Sequence, residues 1–568
     1  MTNTQQWLTK AERTNFQETS RYAEDIEFCG RLEKASSYVR FTNFGKSPEG
    51  RELPLLIISR DKVFTPEQAR QSDSAIILIN NGIHAGEISG KEATYMLLRE
   101  ILITKKLEAL LNHLILLVIP VFSVDGHERV SPYNRINQNG PVEMGWRTSA
   151  TNLNLNRDWM KAEQPEMRAM LDLFYKWLPD FVIDNHVSDG ADFQYDITWV
   201  VDDHFALAKP VSKYFRNQFE PRLIQDMNTR GHKVRQYFEM IDATDPSKGI
   251  TPGPFEPRFC TGFCTLENRP ALTTESHALK DFRTQTIAHY DLMEAALQQF
   301  STDPAALRNA VRTADHEAMQ LQSDYPIRLR VDRSVSEPIE FHGVEFTRET
   351  SSVSGVTKVM YGSTPIEITV PYYRHIVPDL TVRPPVAYVI PQQWTQIISR
   401  LEAHHIEFSR LGKEITGVFE TYRFTNVSWD PTPFEGHHRV HFESHLVTEQ
   451  RTLPAGSLVV RLNQRSNKVI LGLLEPDAPD SVISWGYLDM IFEDKEYGEN
   501  YIIEKMALEM LEQSDSIREE FQRKLMTDPE FAASPDARLR FFYERSPYRD
   551  ERKNAYPVVR ITELSQLQ

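Results

Sequence analysis

The chain is poor in cysteine: Cys29, Cys260 and Cys264 are the only three in 568 residues. Three thiols make no disulfide framework, and Cys260 with Cys264 alone would make a poor zinc site. All three are expected to be small buried residues. No run of eighteen or more apolar residues occurs, which excludes a helix that spans a bilayer. Positive charge is also short. With 80 acidic and 64 basic residues the formal net charge is −16, and there is no basic run. Nucleic acid and anionic membrane are therefore not expected partners. Internal repeats, low-complexity tracts, a phosphate loop, a glycine-rich dinucleotide fingerprint and a serine nucleophile elbow are all missing, which removes the common nucleotide-binding and serine-hydrolase readings. The first twenty residues, MTNTQQWLTKAERTNFQETS, lack the basic start and apolar centre of a signal peptide. A cytoplasmic protein is expected, or an exported one if a leader has been removed. Nothing in the sequence points to an oligomeric state.

What is there is ordinary globular composition, 40% hydrophobic and 25% charged, enough for a packed core. The length is too great for one core, so two to four domains are expected. Up to about residue 320, apolar runs alternate with helical patterns. The runs lie at 76–80, 114–121, 181–184 and 270–274, and the helices at about 87–103, 166–177 and 283–300. This alternation predicts an α/β fold: a mixed, largely parallel twisted sheet with helices on both faces. From about residue 327, short alternating strands between Pro and Gly turns predict an antiparallel β-rich domain, interrupted by a helix near 392–404. A charged helical stretch from Tyr501 to about Met526 precedes an irregular tail. The expected division is a catalytic part over 1–325, a β-rich accessory domain over 326–500 and a helical or irregular segment over 501–568.

Ligands of open α/β sheets collect at the carboxyl ends of strands. The first strand delivers Asn80-Asn81-Gly82-Ile83-His84-Ala85-Gly86-Glu87 there, the second Val124-Asp125-Gly126, the third Asp184-Asn185-His186 and the fourth Thr274-Glu275-Ser276-His277. A hydrolytic zinc ion needs about three protein ligands and an open position, and imidazole and carboxylate suit it. His84, Glu87 and His186 would form that set. Gly82 and Gly86 would permit a tight turn and close backbone approach. Glu87 is expected in the first helical turn, where the helix dipole favours a carboxylate. Taken alone, a His-x-x-Glu pair is common by chance, as a surface histidine and a helix-start acid; the third strand-end ligand is what gives it weight.

Zinc activates water, but a base must still take the proton and return it to the leaving amine. Glu275 is the candidate for that base, and Glu267 is its competitor. The bland alternative for Glu275 is an exposed acid after a strand. An anion site is also needed. Asn156 and Arg157 offer an amide and a planar two-pronged guanidinium for a carboxylate, and Arg147 offers a second guanidinium for an oxyanion. Any one arginine is at least as readily a surface or structural salt bridge. Arg439, His441, Glu443 and His445 share one face of a strand, which reads as a solvated sheet face more readily than a second metal site. Asn426-Val-Ser matches a glycosylation sequon, taken as coincidence without a signal peptide.

These pieces occur in the order in which they stand in a known family. His84-Ala-Gly-Glu87, Val124-Asp125-Gly126, Trp146-Arg147, Leu155-Asn156-Arg157-Asp158-Trp159, His186 and Glu275 make residues 75–285 resemble the zinc carboxypeptidases of the carboxypeptidase A type. The segment from His127 also resembles a bacterial branch of large members with a C-terminal β-rich extension. The resemblance implies zinc held by His84, Glu87 and His186, with Glu275 as general base. It implies a substrate carboxylate gripped by Asn156 and Arg157, and an oxyanion stabilised by Arg147. No motif marks the family's mobile tyrosine, for which Tyr237 is the candidate, and none marks the floor of its side-chain pocket. The first expectation is thus a metallocarboxypeptidase acting on peptides or peptide-like substrates with a free C-terminal carboxylate. The alternatives are a zinc-dependent amidohydrolase or deacylase of small N-acyl amino acids, and an inactive binding protein on the same scaffold.

Overall fold

A computed structural model describes residues 4–201, 207–320 and 323–567. The first half forms an eight-stranded mixed sheet. Across it run Val39–Lys46, Glu52–Ser59, Leu114–Ile119, Ala75–Asn81, Phe181–Val187, Ala271–Ser276, Ile197–Val200 and Val234–Gln236. The four central strands, from Leu114–Ile119 to Ala271–Ser276, are mutually parallel. On each side the next strand runs antiparallel to them, and the edge strand Val234–Gln236 is parallel to Ile197–Val200.

The central strands are apolar along their whole length because both faces are covered. Alternate residues divide between two cores. Ile76, Leu78, Leu117 and Val182 pack on one side with Met167, Leu171 and Phe174 of the helix Pro165–Trp177. Ile77, Ile79, Val118 and Ile183 pack on the other, against the helices Ser89–Leu102 and Phe282–Thr302.

Beyond residue 324 the chain is β-rich. A six-stranded sheet runs in the order Ser409–Arg410, Leu458–Arg461, Ala387–Ile390, Val559–Ile561, Ile415–Trp429, Val440–Leu453, with antiparallel pairing throughout. One face of this sheet, carrying Tyr388, Ile390, Leu458 and Val460, joins the same apolar cluster as the helix Pro165–Trp177. The two sheets are therefore fastened by continuous hydrophobic packing. A long hairpin, Glu337–Thr350 with Thr357–Tyr372, pairs with Ile250–Pro252 of the first half. The helical stretch after residue 500 is two helices, Asn500–Gln513 and Asp515–Thr527. They are divided at Ser514, whose side chain accepts the N–H of Ile517 and caps the second.

Candidate metal centre and active site

His84 and Glu87 follow the strand Ala75–Asn81, and His186 lies within Phe181–Val187. The loop between Asn81 and the next helix turns at Gly82, with φ +64°, a backbone region that disfavours any side chain. At Gly86 a Cβ would lie 2.7 Å from the carbonyl oxygen of Gly145 and 2.8 Å from the side chain of Arg135. Glycine there lets the 135–147 segment close over the site. The helix begins only at Ser89, with Ile88 as its cap residue. Glu87 thus stands outside the first helical turn where the sequence had placed it. Its carboxylate is held by other groups: the backbone N–H of Val187 at 3.2 Å, Arg135 at 2.6 Å and Arg147 at 3.1 Å.

Three donor side chains converge. The Nδ1 atoms of His84 and His186 are 3.2 Å apart. Glu87 places Oε1 3.1 Å from Nδ1 of His84 and Oε2 3.0 Å from Nδ1 of His186. All three residues are at most 4% exposed. The outward nitrogens are taken. Nε2 of His84 faces Oδ1 of Asn154 at 3.0 Å, and Nε2 of His186 faces Oδ2 of Asp184 at 3.0 Å. Oxygen acceptors on the outside place the proton on each Nε2 and turn each Nδ1 lone pair toward the common centre. Burial pushes the His84 imidazole down to about 3, although Glu87 pulls the other way. Burial also opposes charge on His186, but Asp184 and Glu87 outweigh it and hold that group well above its ordinary value. Glu87 is buried too, yet His84, Arg135 and His186 hold it well below the usual carboxylate range. A neutral imidazole, an imidazole in a field that favours a cation, and an ionised carboxylate make a donor set that fits zinc.

A cavity of about 250 Å³ opens over these three side chains, and all seven candidate residues line it: His84, Glu87, Arg147, Asn156, Arg157, His186 and Glu275. Glu275 lies in the strand Ala271–Ser276, one residue before its end, and is the register partner of His186. Withdrawal from water pushes its carboxyl up to about 8; His186 opposes that rise, and Glu87 and Asp189 add to it. A dication between the ligands would act in the opposite sense. Arg157 lies with its guanidinium 4.1 Å from the centre of the Phe259 ring and donates to the carbonyl of Asn156 at 2.8 Å. Burial, with repulsion from Arg147 and Arg258, brings it down to about 10. Among the described residues no carboxylate lies within ion-pair distance of it. Asn156 is buried and accepts the N–H of Cys260 at 3.2 Å. Tyr237 lines the same cavity.

Other candidates are placed elsewhere. Glu267 is fully buried, paired with Arg465 and bonded to Tyr175 at 2.8 Å, away from the cavity. His441, Glu443 and His445 are exposed along Val440–Leu453, while Arg439 folds back 4.0 Å over the ring of Trp485. Asp125 faces Ser47 and Arg51, at 2.8 and 2.6 Å, and stabilises a turn. The three cysteines are buried. A second group, Glu340, His342 and Glu367, lies on the long hairpin. Its geometry differs from the first. Glu340 approaches Nε2 at 3.6 Å and Glu367 approaches Nδ1 at 3.3 Å, so the acids flank opposite edges of one ring rather than meet at a centre.

Sequence reasoning did not single out Arg135, Asp184 or Asn154 as functional. Asp184 had a signal: two residues before His186 on one strand, it must share that face. Arg135 sits in an irregular loop and had none.

The family model described as zinc carboxypeptidase matches residues 26–189. Over that segment the chain is similar to the zinc carboxypeptidases. It is a metallocarboxypeptidase by that kinship, and the matched segment ends just past His186. Carboxypeptidase 2 of Trichophyton equinum is 24% identical over 477 residues, covering 81% of this chain and 82% of that one. Carboxypeptidase 2 of Trichophyton rubrum is 23% identical over 476 residues, with the same coverage of each, 81% and 82%. Among solved structures, the carboxypeptidase is similar to a metallo-carboxypeptidase from Burkholderia cenocepacia, with 16% identity, 50% of this chain and 69% of that chain covered, and a TM-score of 0.37. Carboxypeptidase A from Helicoverpa armigera gives 16% identity, 53% and 75% coverage, and a TM-score of 0.36. Among the described residues of the carboxypeptidase, no helix is long and apolar enough to cross a membrane.

Proposed function

We propose that this carboxypeptidase removes C-terminal residues from peptides with a free carboxylate, with zinc held by His84, Glu87 and His186. A zinc ion so held supplies Lewis-acid polarisation of the scissile carbonyl and lowers the pKa of water. Glu275 takes the proton of the attacking water and delivers it to the leaving nitrogen. Arg157, with Asn156 beside it, receives the terminal carboxylate, and Arg147 donates to the oxygen on which negative charge develops. Tyr237 borders the bound residue. The catalytic part is residues 1–325, and the β-rich extension supports it.

The single observation that carries this reading is the convergence of two Nδ1 atoms and one carboxylate within 4.8 Å of one another, at the edge of a cavity that also holds Arg157. The test is a mixed library of free-carboxylate and amidated peptides, incubated with and without chelator. Loss of single C-terminal residues from the free-carboxylate peptides alone, abolished by chelator and restored by zinc, is the expected result. Equal cleavage of amidated peptides would remove the role given to Arg157. Turnover of small N-acyl amino acids without any peptide cleavage would move the enzyme to the deacylases.

A further inference from the structure

We propose that the hairpin tip Phe434–His437, which joins two strands of the six-stranded sheet, is part of the active-site apparatus, and that Glu435 is a positioning residue for the ligand His84 and for the turn Asn154–Arg157. The inference rests on the function proposed above.

The tip is a two-residue turn. Phe434 and His437 exchange backbone hydrogen bonds of 2.8 and 3.1 Å, and the residues between them have φ of +49° at Glu435 and +83° at Gly436. Two left-handed residues in a two-residue loop are the demand of a type I′ hairpin, which Asn-Gly or Gly-Gly meets easily. Glutamate is a poor choice for the first position, since its Cβ strains the left-handed backbone. The turn itself does not explain Glu435. Its side chain does have a use: Oε2 accepts the backbone N–H of Asn154 at 2.8 Å, across 281 positions of sequence.

Asn154 is 6% exposed, so without Glu435 that buried N–H would need another acceptor. The side chain of Asn154 then performs two tasks with one oxygen. Oδ1 accepts the N–H of Asn156 at 2.9 Å and faces Nε2 of His84 at 3.0 Å. Glu435 therefore fixes the residue that orients one ligand and opens the carboxylate-binding turn. The tip is itself well held. Its carbonyl at Glu435 accepts from Lys161 at 3.2 Å, and His437 Nε2 lies 3.0 Å from Glu163. Phe434 stacks on the fully buried Trp485, with ring centres 5.9 Å apart and planes 14° apart.

The experiment compares Glu435→Gly and Glu435→Gln with the full wild-type chain. Glycine suits the turn and removes the acceptor; glutamine keeps an acceptor oxygen. Glu435→Gly is expected to melt within a few degrees of the wild-type temperature, since relief of the left-handed backbone offsets part of the lost hydrogen bond, while zinc affinity by chelator competition and kcat/KM each fall about tenfold or more, as for loss of a group that orients a metal ligand. KM for free-carboxylate peptides should rise as kcat falls, because both the turn and His84 lose their reference. Glu435→Gln should recover most of both. Zinc affinity and kcat/KM within twofold of wild type in Glu435→Gly overturn the proposal. So does an equal loss in Glu435→Gln, or a loss that follows a lower melting temperature with zinc affinity unchanged. The zinc measurement needs no substrate. A wild-type chain that binds zinc but cleaves no peptide would defeat the proposed function and still leave this comparison decisive.

Discussion

His186 and Glu275 are register partners on adjacent parallel strands, Phe181–Val187 and Ala271–Ser276. Paired positions on neighbouring strands put their side chains on one face, with backbones about 4.8 Å apart. An imidazole and an acid are thus spaced by the sheet ladder rather than by a loop. Rigid elements hold catalytic geometry more closely than loops do.

Glu275→Gln changes one atom on that ladder and touches none of the three ligands' hydrogen bonds. The variant is expected to bind zinc one to one like the wild type and to lose roughly 10²- to 10⁴-fold in kcat, the range for loss of general acid–base help. Metal analysis and turnover on the same sample check this. Undiminished turnover would reject Glu275 as the base.

Asp184 holds the outward nitrogen of His186. Asp184→Ala is expected to weaken zinc binding about 10- to 100-fold without removing a ligand, whereas His186→Ala should abolish stoichiometric binding. Titration against a chromophoric chelator separates the two. Identical zinc affinity in Asp184→Ala and wild type would show that the outer carboxylate does not matter to the metal.

For Arg157→Ala, loss of a hydrogen-bonded ionic contact worth about 1.5–3 kcal/mol predicts a fall of roughly ten- to a hundredfold in kcat/KM on free-carboxylate peptides. Residual activity on amidated peptides should not change. Parallel losses on both substrate types would mean that Arg157 supports the fold and not the substrate.

Glu166 is fully buried and neither carboxylate oxygen has a hydrogen-bond partner. Burial, with Asp125 and Asp158 nearby, pushes its carboxyl up to about 7 from the ordinary 4.5. A carboxyl raised on folding is tolerated while protonated, below about pH 4.5. Between about pH 4.5 and 7 the unfolded chain gives up this proton while the folded chain keeps it, so stability falls across that window, by roughly 3 kcal/mol in all, and levels off above it. Glu166→Gln is therefore expected to melt higher than wild type at pH 8 and to differ little at pH 5. Melting curves at the two pH values decide it, and an equal shift at both would refute the assignment.

The convergence of His84, Glu87 and His186 was legible because these side chains stand at or near strand ends, and strand ends are read from apolar runs that stop. Ala75–Asn81 and Phe181–Val187 are apolar until the residues that matter. The boundaries were less legible. Glu275 lies inside its strand because the run Ala-Leu-Thr-Thr continues through polar residues that the ladder accepts as readily. The long hairpin strands, of 14 and 16 residues, were read as short ones, since both of their faces carry exposed polar side chains. Helical spacing runs on through Ser514 and hid the break there. Contacts such as Arg135 with Glu87, or Glu435 with Asn154, depend on tertiary approach and leave no local pattern in the chain.

The strand Val559–Ile561 is slotted between Ala387–Ile390 and Ile415–Trp429, segments made more than a hundred residues earlier. During synthesis the first sheet can form long before this wedge leaves the ribosome. Among the described strands, Val559–Ile561 is what connects the two halves of the second sheet. A protease that trims the chain ahead of Val559 would remove the strand that joins those two segments, without touching a single residue of the cavity.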